Sequence, residues 1–235
     1  MAIAAVNPRI SIVIPTLNEE GCIARTLERL QAMRQRGHEL IVVDGGSNDN
    51  TVAVSTAFAD RLIRAPRGRA SQMRAGVAVA NGSVIWLLHA DTLPVNGADR
   101  LILGCLSRPA VQWGRFNIEF SGERRVFKMI ALFMNLRSRL SGIATGDQGI
   151  FLARELYEQV GGIPDIPLME DVALSRRLKR YSRPAVVRQK LTSSPRRWEK
   201  HGIARTVLKM WVLRFAYFVG IDPVRLARYY AVDKP

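Results

Sequence analysis

The stretch ISIVIPTLNEE, residues 10–20, decides the fold prediction for this chain of 235 residues. It opens with a β-branched apolar run and then passes, without a glycine-rich turn, into two acidic residues. Further apolar runs follow at 40–43 (LIVV) and 84–88 (VIWLL), with a weaker one at 62–64. Uninterrupted apolar strands are typical of a parallel sheet covered on both faces. The sequence therefore predicts a parallel sheet with these four strands.

Helical patterns separate the predicted strands. Ile23, Leu27 and Leu30 share one face of a first helix, and Asn18 is placed to cap it. Two more helices are expected near residues 51–59 and 70–80. Alternating strands and helices imply right-handed crossovers and an open α/β sheet.

The regular alternation of predicted strands and helices ends after Pro94. In the second half we expect helices over 94–107, 126–140 and 170–180, one or two strands over 111–120, and a short strand over 147–152. The helix over 126–140 is apolar around most of its circumference, so it is either buried or lies on an apolar surface. The tail over 198–230 is expected to be helical, basic and aromatic, with a break at 220–223.

The charge balance is strongly basic: 35 Lys and Arg against 20 Asp and Glu give a formal net charge of +15. Nucleic acid, an anionic membrane surface and a phosphate-bearing substrate all fit this charge, and composition does not separate them. Cys22 and Cys105 form no CxxC pair, which argues against a zinc site or disulfide framework and favours a reducing, cytoplasmic setting.

Membrane and export signals are weak in this sequence. The first ten residues lack the basic and apolar regions of a secretory signal. The apolar run over 207–221 carries Lys209 and Arg214 and falls short of the roughly 20 apolar residues that span a bilayer. We therefore expect a cytoplasmic protein, with peripheral attachment to the inner face of the cell membrane as an open hypothesis.

Polar residues follow three of the predicted strands, at Thr16, Asp44 and Asp91. In open α/β sheets, ligands bind beyond the carboxyl ends of the strands. Carboxylates at such a crevice in a basic protein suggest a divalent cation, Mg²⁺ or Mn²⁺, shared with phosphate oxygens. The chain has no GxGxxG after its first strand and no GxxxxGK[ST], which disfavours a dinucleotide Rossmann site and a P-loop NTPase.

Several motifs carry a family resemblance. SIVIPTLNEE (11–20), IVVDGGSNDNT (41–51), GRASQMRAGVAVANG (68–82) and WLLHADT (86–92) resemble the nucleotide-sugar half of family-2 glycosyltransferases. GDQGIFLARELYEQVGGIPDIPLMEDVALSRRLKR (146–180) resembles the acceptor half, including its Glu-Asp motif. The resemblance runs from about residue 10 to residue 180, and the chain is most similar to the short, stand-alone bacterial members.

The resemblance implies a GT-A fold, an open and mostly parallel α/β sheet flanked by helices. It implies a catalytic domain over residues 1–195, with a nucleotide-sugar half over 10–93 and an acceptor half over 94–195. Residues 196–235 then form a basic, aromatic helical tail.

The implied activity is that of an inverting glycosyltransferase of the hexosyltransferase type, with a UDP-sugar as the favoured donor. Asp171 is the implied general base, and the implied metal ligands for Mn²⁺ or Mg²⁺ are Asp91 and His201. The residues expected to bind the nucleotide-sugar are Pro15, Thr16, Glu19, Asp44, Arg69, His89, Asp91 and Arg197. The implied acceptor is a hydroxyl compound, and the sequence does not decide between a lipid-linked compound and a small molecule.

The chain departs from the family pattern at His89, which stands at the first carboxylate of the Asp-x-Asp motif. The histidine is open to three interpretations: a donor to the ribose, a donor to a phosphate, or an inert residue. His201 matches a downstream metal-binding histidine by order in the chain alone.

Other function classes remain as alternatives. A degenerate GT-A protein that binds nucleotide or lipid without catalysis is favoured by His89 and opposed by Asp91 and Asp171. A sugar-1-phosphate nucleotidyltransferase is disfavoured, because its glycine-rich basic loop is replaced by PTLNEEG. Nucleic-acid binding is disfavoured because no recognition motif accompanies the positive charge.

Overall fold

The computed structural model describes residues 9–231, except for the side chains of Arg197, His201 and Ala231. The strands are β1 (Ile10–Thr16), β2 (Glu39–Asp44), β3 (Arg61–Arg64), β4 (Val84–Leu87), β5 (Thr92–Leu93), β6 (Trp113–Phe120), β7 (Phe151–Ala153) and β8 (Ala185–Ser193). The helices are α1 (Glu20–Gln35), α2 (Thr51–Thr56), α3 (Arg69–Val79), α4 (Ala98–Leu106), α5 (Arg125–Ser141), α6 (Arg154–Gln159), α7 (Glu170–Leu178), α8 (Arg196–His201), α9 (Ile203–Phe218) and α10 (Pro223–Ala231). A 3-10 turn occupies Gly146–Gln148.

All eight strands belong to one sheet, in the order β3-β2-β1-β4-β7-β6-β8-β5. The four strands predicted from apolar runs lie side by side and are parallel. Strand β8 is parallel to β6, whereas β7 is antiparallel to β4 and β6, and β5 is antiparallel to β8. Parallel pairs outnumber antiparallel pairs, so the expected mostly parallel α/β sheet is confirmed.

Two helical layers cover the sheet. On one face, Ile12 and Ile14 of β1 join a core with Leu27 of α1. On the other face, Val13 of β1 joins a core with Val77 of α3. Successive strand residues point to opposite faces, so a strand buried on both sides must be apolar throughout. This explains why the first strands read as continuous apolar runs.

The second half differs in detail from the sequence expectation. The strand expected over 147–152 is instead a 3-10 turn, Gly146–Gln148, followed by β7. Strands β5 and β8 and helix α6 were not expected. In β8 the pairing register shifts between Phe116 and Asn117 of its neighbour β6, and this irregularity breaks the period-two pattern that would reveal a strand.

The tail helices pack against the rest of the protein. Trp198 of α8 and Val207 of α9 join a core cluster with Phe127 of α5. Further along, Leu213 of α9 and Leu226 of α10 pack together with other apolar residues. The expected helical tail and its break are confirmed, whereas the domain boundary at residue 195 stays a prediction.

Helix α5 has one buried face and one exposed apolar face. Phe127 and Ile130 are buried, whereas Leu132, Phe133 and Leu140 are exposed. Within residues 9–231, no helix is both long and apolar enough to cross a membrane.

Candidate functional site

The carboxyl ends of β1, β2 and β4 meet at one edge of the sheet, which we call the crevice. Thr16 pairs with Asp44 in the register of β1 and β2. The Gln72 side chain of α3 donates to the carbonyl oxygens of Thr16 at 2.7 Å and Val43 at 2.8 Å. Helix α3 thereby fixes the two strand ends that begin the crevice, at the place where open α/β sheets bind ligands.

The loops after β1 and β2 are linked through Asn18. Its backbone N–H donates to Ser47 Oγ at 2.9 Å, and its Oδ1 accepts the Asn48 N–H at 2.9 Å. Asn18 has a positive φ of 54°, a conformation that asparagine tolerates better than most residues. The expectation that Asn18 caps α1 was wrong, because its amide is engaged by the neighbouring loop.

Asp49, in the loop after β2, accepts a hydrogen bond from the first residue of α1. Helix α1 begins at Glu20, whose N–H donates to Asp49 Oδ2 at 3.2 Å. A carboxylate at this position also suits the positive end of the helix dipole.

Asp44 is buried and anchors its own loop. Its Oδ2 accepts the N–H groups of Gly46 at 2.9 Å and Ser47 at 3.0 Å, and its Oδ1 accepts the Ser47 hydroxyl at 2.5 Å. These bonds fix the backbone of the loop that follows β2. Pro15 and Thr16 lie beside it at the buried end of β1.

Arg196 joins the two acidic residues at the mouth of the crevice. Its Nη2 lies 3.4 Å from Asp91 Oδ2 and also donates to Glu19 Oε2. Asp91 and Glu19 thus face one cationic group from different loops. The adjacent Arg197 and His201 have their backbone in α8, and their side chains lie outside the described part of the structure.

The acidic pair at the mouth fits a divalent cation by its chemistry. Mg²⁺ is commonly held by one or two carboxylates, with substrate phosphates and water as the other ligands. Glu19 and Asp91 provide carboxylate oxygens that converge on a positive charge. Among the described side chains, no group of three or more His, Cys, Asp or Glu comes together to hold a metal.

Cys22 belongs to the same environment. Its thiol donates to Glu19 Oε2 at 3.1 Å. Burial, followed by the hydrogen bond and charge of Glu19, raises the pKa of Cys22 to about 12. The thiol is therefore protonated at neutral pH, and Cys22 and Cys105 are both free cysteines.

His89 is buried and packs against Gly146 and Asp147 of the 3-10 turn. It is 6% exposed, and its Nδ1 lies 3.1 Å from Asp147 Oδ1. Its Nε2 is buried without a hydrogen-bond partner in the described structure. A Cβ added to Gly146 would lie 2.2 Å from this Nε2. The imidazole therefore requires a glycine at position 146.

Asp171 lies at the start of α7 and is held by backbone groups. Its Oδ2 accepts the Gly146 N–H at 2.8 Å, and its Oδ1 accepts the Val172 N–H at 2.7 Å. It lines a small cavity with Gly146, Ile150 and other residues. Two backbone N–H groups thus fix the orientation of the carboxylate.

The residues before Asp171 are unusual. Met169 has a left-handed φ of 68°, which is strained for a residue with a side chain. Glu170 is buried, and burial, followed by the negative charge of Asp171, raises the pKa of Glu170. Such strain and crowding of carboxyl groups are common at functional sites.

Arg69 is the first residue of α3, and its side chain is exposed. Partial loss of hydration acts to lower the pKa of Arg69, but the charges of Glu170, Asp147 and other groups outweigh this and raise it. The start of α3 therefore faces the acidic pair that begins α7.

Sequence reasoning assigned no role to Gly146, Asp147 or Glu170, although all three lie in the quoted 146–180 motif. For Arg196 the sequence left two interpretations open: a phosphate clamp together with Arg197, or part of a basic surface run. Its position beside Asp91 depends on the antiparallel pairing of β5 with β8, which brings Ser193 opposite Thr92. That pairing had no signal in the sequence.

Comparisons with known proteins agree on one family. A sequence model of glycosyl transferase family 2 matches residues 11–158. An uncharacterized glycosyltransferase of Mycobacterium tuberculosis, Rv1514c, is 35% identical over 88 residues, which cover 35% of this chain and 34% of the relative. The Bacillus subtilis protein named Probable glycosyltransferase YdaM is 27% identical over 199 residues, or 73% of this chain and 46% of the relative. The matches thus span between about a third and a half of these curated relatives.

Solved structures share the fold. The mannosyltransferase PcManGT from Pyrobaculum calidifontis, in complex with GDP-Man and Mn²⁺, has a TM-score of 0.65 at 19% identity, with 98% of this chain and 66% of that chain covered. Glucosyl-3-phosphoglycerate synthase from Mycobacterium tuberculosis, with Mn²⁺, UDP and glucosyl-3-phosphoglycerate, has a TM-score of 0.60 at 21% identity, with 80% and 71% covered. These similarities confirm the GT-A architecture expected from the sequence.

Proposed function

The chain belongs to glycosyl transferase family 2, and from this we propose that it is an inverting glycosyltransferase. It transfers a sugar from a nucleotide-diphosphate donor to a hydroxyl acceptor. The observation that carries this proposal is the placement of Asp171, a carboxylate oriented by the Gly146 and Val172 N–H groups beside a cavity.

Asp171 is the proposed general base. As the acceptor oxygen attacks the anomeric carbon, its proton passes to Asp171, and the bond from that carbon to the diphosphate breaks. The electron pair of the broken bond leaves with the diphosphate oxygen. A single displacement of this kind inverts the anomeric configuration, and general-base catalysis contributes about 10²–10⁴-fold to such a step.

The donor side of the crevice binds the nucleotide-sugar. We assign the nucleoside to the strand ends at Pro15, Thr16 and Asp44, with Glu19 at the mouth. Arg69, His89, Asp91 and Arg197 complete the proposed donor-binding set. The complexes of the two structural relatives contain GDP-Man or UDP, which supports a nucleoside diphosphate donor, and a UDP-sugar remains our favoured choice.

A divalent cation is part of the proposal. Asp91 and His201 are its proposed protein ligands, and Mn²⁺ in both related complexes supports this assignment. Bound Mn²⁺ or Mg²⁺ would supply positive charge that neutralises the departing diphosphate. Arg196 contacts the Asp91 carboxylate. When the cation binds, Arg196 must therefore either move away from this carboxylate or contact it together with the cation.

Donor and metal binding can be tested together by thermal unfolding. We expect UDP with Mn²⁺ to raise the Tm, because a ligand that binds only the folded protein stabilises it. Saturation at 100 times Kd stabilises by about 2.7 kcal/mol, which corresponds to roughly 5–11 °C for a chain of this size. Asp91→Ala should remove the Mn²⁺-dependent part of this shift.

The matched control is Asp165→Ala, which removes an exposed carboxylate paired with Arg74 and should keep the full shift. A full Mn²⁺-dependent shift in Asp91→Ala would show that the metal assignment is wrong. A parallel screen of nucleotide sugars for hydrolysis or transfer separates the enzyme from a non-catalytic nucleotide-binding protein.

We further propose that the enzyme attaches to an anionic membrane surface through two apolar stripes. The stripe residues are Met129, Leu132, Phe133, Leu136 and Leu140 on α5, and Leu208, Trp211, Val212, Phe215 and Phe218 on α9. Within each helix they recur at spacings of three and four residues and so share one face. They lie opposite the buried positions of the same helices, such as Ser138 and Leu213.

Charge supports a lipid surface as the occupant of these stripes. Helices α5, α9 and α10 contain no aspartate or glutamate. Their exposed basic residues are Arg125, Lys128, Arg139, Arg205, Arg225 and Arg228. Each basic residue near an anionic leaflet contributes about 1 kcal/mol. Apolar stripes within basic helices are typical of helices that lie in the membrane interface.

Sedimentation with lipid vesicles tests this attachment. We expect binding to vesicles that contain phosphatidylserine, with a bound fraction that falls as salt is added. Trp211→Ala combined with Phe215→Ala should reduce it strongly, because these side chains are 71% and 68% exposed. Tyr181→Ala, which removes an exposed aromatic residue outside the stripes, is the control.

Equal recovery in the supernatant with neutral and anionic vesicles at low salt would contradict membrane attachment. Self-association that depends on Trp211 and Phe215 in the absence of lipid would contradict it too, because the stripes would then pair two copies of the chain.

A further inference from the structure

Three arginines, Arg115 on β6, Arg137 on α5 and Arg214 on α9, have no acidic hydrogen-bond partner among residues 9–231, and we call them the arginine cluster. Arg115 is fully buried. Its guanidinium donates to Asn117 Oδ1 at 2.6 Å and to the carbonyl oxygens of Phe116 and Asn135, both at 3.2 Å. All of these acceptors are neutral, and Arg115 Nε has no acceptor in the described structure.

The guanidinium groups of Arg137 and Arg214 also have buried N–H groups without an acceptor in the part of the chain that the structure describes. Within the described residues, Nε of both side chains and Nη2 of Arg137 are buried without a hydrogen-bond partner. None of the three arginines forms a salt bridge in that part of the chain. Buried donors on charged groups are costly to leave unpaired, so each one requires an explanation.

The cluster is electrostatically unbalanced. Burial, followed by repulsion from Arg214, lowers the pKa of Arg137 to about 10. Burial also lowers the pKa of Arg115 to about 10, with a contribution from Arg139.

Arg36 shows the opposite arrangement in the same protein. Its guanidinium donates to both oxygens of Asp99, at 2.6 and 2.9 Å, and this contact raises the pKa of Arg36. Compared with this satisfied arginine, the cluster lacks an anion.

The position of the cluster relates it to the acceptor side of the crevice. The charge of Asp171 acts on Arg137. Helix α5, which carries Arg137, ends five residues before Gly146, whose N–H holds Asp171. An anion at the cluster therefore lies on the side of the proposed base rather than with the nucleoside at the ends of β1 and β2.

We propose that Arg137 and Arg214, backed by Arg115, bind a phosphate group of the acceptor, an inference that rests on the function proposed above. Guanidinium groups present N–H donors in a fork that matches phosphate oxygens and forms strong charge-assisted bonds. The phosphate belongs either to a soluble phosphorylated acceptor or to a lipid headgroup. The second source fits the apolar stripes on the same two helices.

Calorimetric titration with inorganic phosphate tests the site. UDP and Mn²⁺ are kept saturating so that phosphate does not report on the donor side. We expect Arg137→Gln and Arg214→Gln each to weaken phosphate binding by about tenfold or more, the loss of at least one charge-assisted hydrogen bond. Arg125→Gln, which neutralises an exposed arginine at the start of the same helix α5, should leave phosphate binding unchanged.

Folding and donor binding are measured on the same variants. Because two buried nitrogens of the half-buried Arg137 have no acceptor among the described residues, Arg137→Gln should keep or raise the Tm, and the UDP-dependent shift should remain. Unchanged phosphate affinity in both cluster variants, or no phosphate binding by the parent protein, would overturn the site. Phosphate binding that depends on Arg137 in a protein that transfers no sugar would instead reject the proposed function and leave the site intact.

Competition distinguishes the two sources of phosphate. Vesicles with phosphatidic acid should displace inorganic phosphate from the parent protein more strongly than neutral vesicles if the group is a lipid headgroup. If soluble phosphomonoesters displace inorganic phosphate and neither kind of vesicle does, the site belongs to a soluble phosphorylated acceptor.

Discussion

Asp171→Asn is expected to bind the donor as the parent protein does and to lose transfer by roughly 10²–10⁴-fold, the usual contribution of a general base. The carboxamide keeps the shape of the side chain and an oxygen for the Gly146 N–H, which bonds Asp171 Oδ2 at 2.8 Å. It cannot accept the proton of the acceptor hydroxyl at neutral pH. Initial rates of sugar transfer, measured with the UDP-dependent Tm shift on the same sample, separate chemistry from binding.

Asp165→Asn is the matched control, because Asp165 is an exposed carboxylate in the loop before α7 and should tolerate the same change. Near-normal turnover in Asp171→Asn would place the base elsewhere. The neighbouring Glu170 is the next carboxyl group to examine, although burial raises its pKa and favours the neutral form.

The crevice was largely predictable from sequence. Parallel strands bring their carboxyl ends to one edge, so the residues after β1, β2 and β4 had to meet there. Short-range patterns thus located Thr16, Asp44 and Asp91 in the fold. What the sequence could not supply was the direction of each side chain, as His89 illustrates. It follows β4 as expected, but no sequence pattern indicated that its imidazole packs against Gly146 and Asp147.

Contacts between distant parts of the chain were beyond prediction. Arg196 and Glu19 are separated by 177 positions, and their contact depends on β8, whose irregular pairing with β6 hides the strand pattern. Arg137 lies within the mostly apolar helix expected over 126–140, and the sequence does not indicate what it contacts. Its relation to Arg214 requires α9 to lie beside α5, and no local pattern fixes that placement.

Gly146→Ala is expected to destabilise the protein and to disrupt the site. The new Cβ would lie 2.2 Å from His89 Nε2 and 2.4 Å from His89 Cε1, far inside van der Waals contact. Overpacking of this kind costs about 1–3 kcal/mol, which corresponds to a Tm lower by roughly 2–12 °C. Transfer should fall as well, because the Gly146 N–H that orients Asp171 must move with the backbone. Thermal unfolding and initial rates measure the two effects.

A double-mutant cycle with His89→Ala assigns the cause of the Gly146→Ala effect. His89→Ala removes the imidazole ring and so makes room for the methyl group introduced at position 146. The double variant should therefore be more stable, by about 0.5–3 kcal/mol, than the sum of the two single effects predicts. Gly104→Ala is the control, since a Cβ there meets no atom within 4 Å in helix α4 and alanine favours helices. Strict additivity between positions 89 and 146 would contradict the steric explanation and with it the requirement of His89 for a glycine opposite its ring.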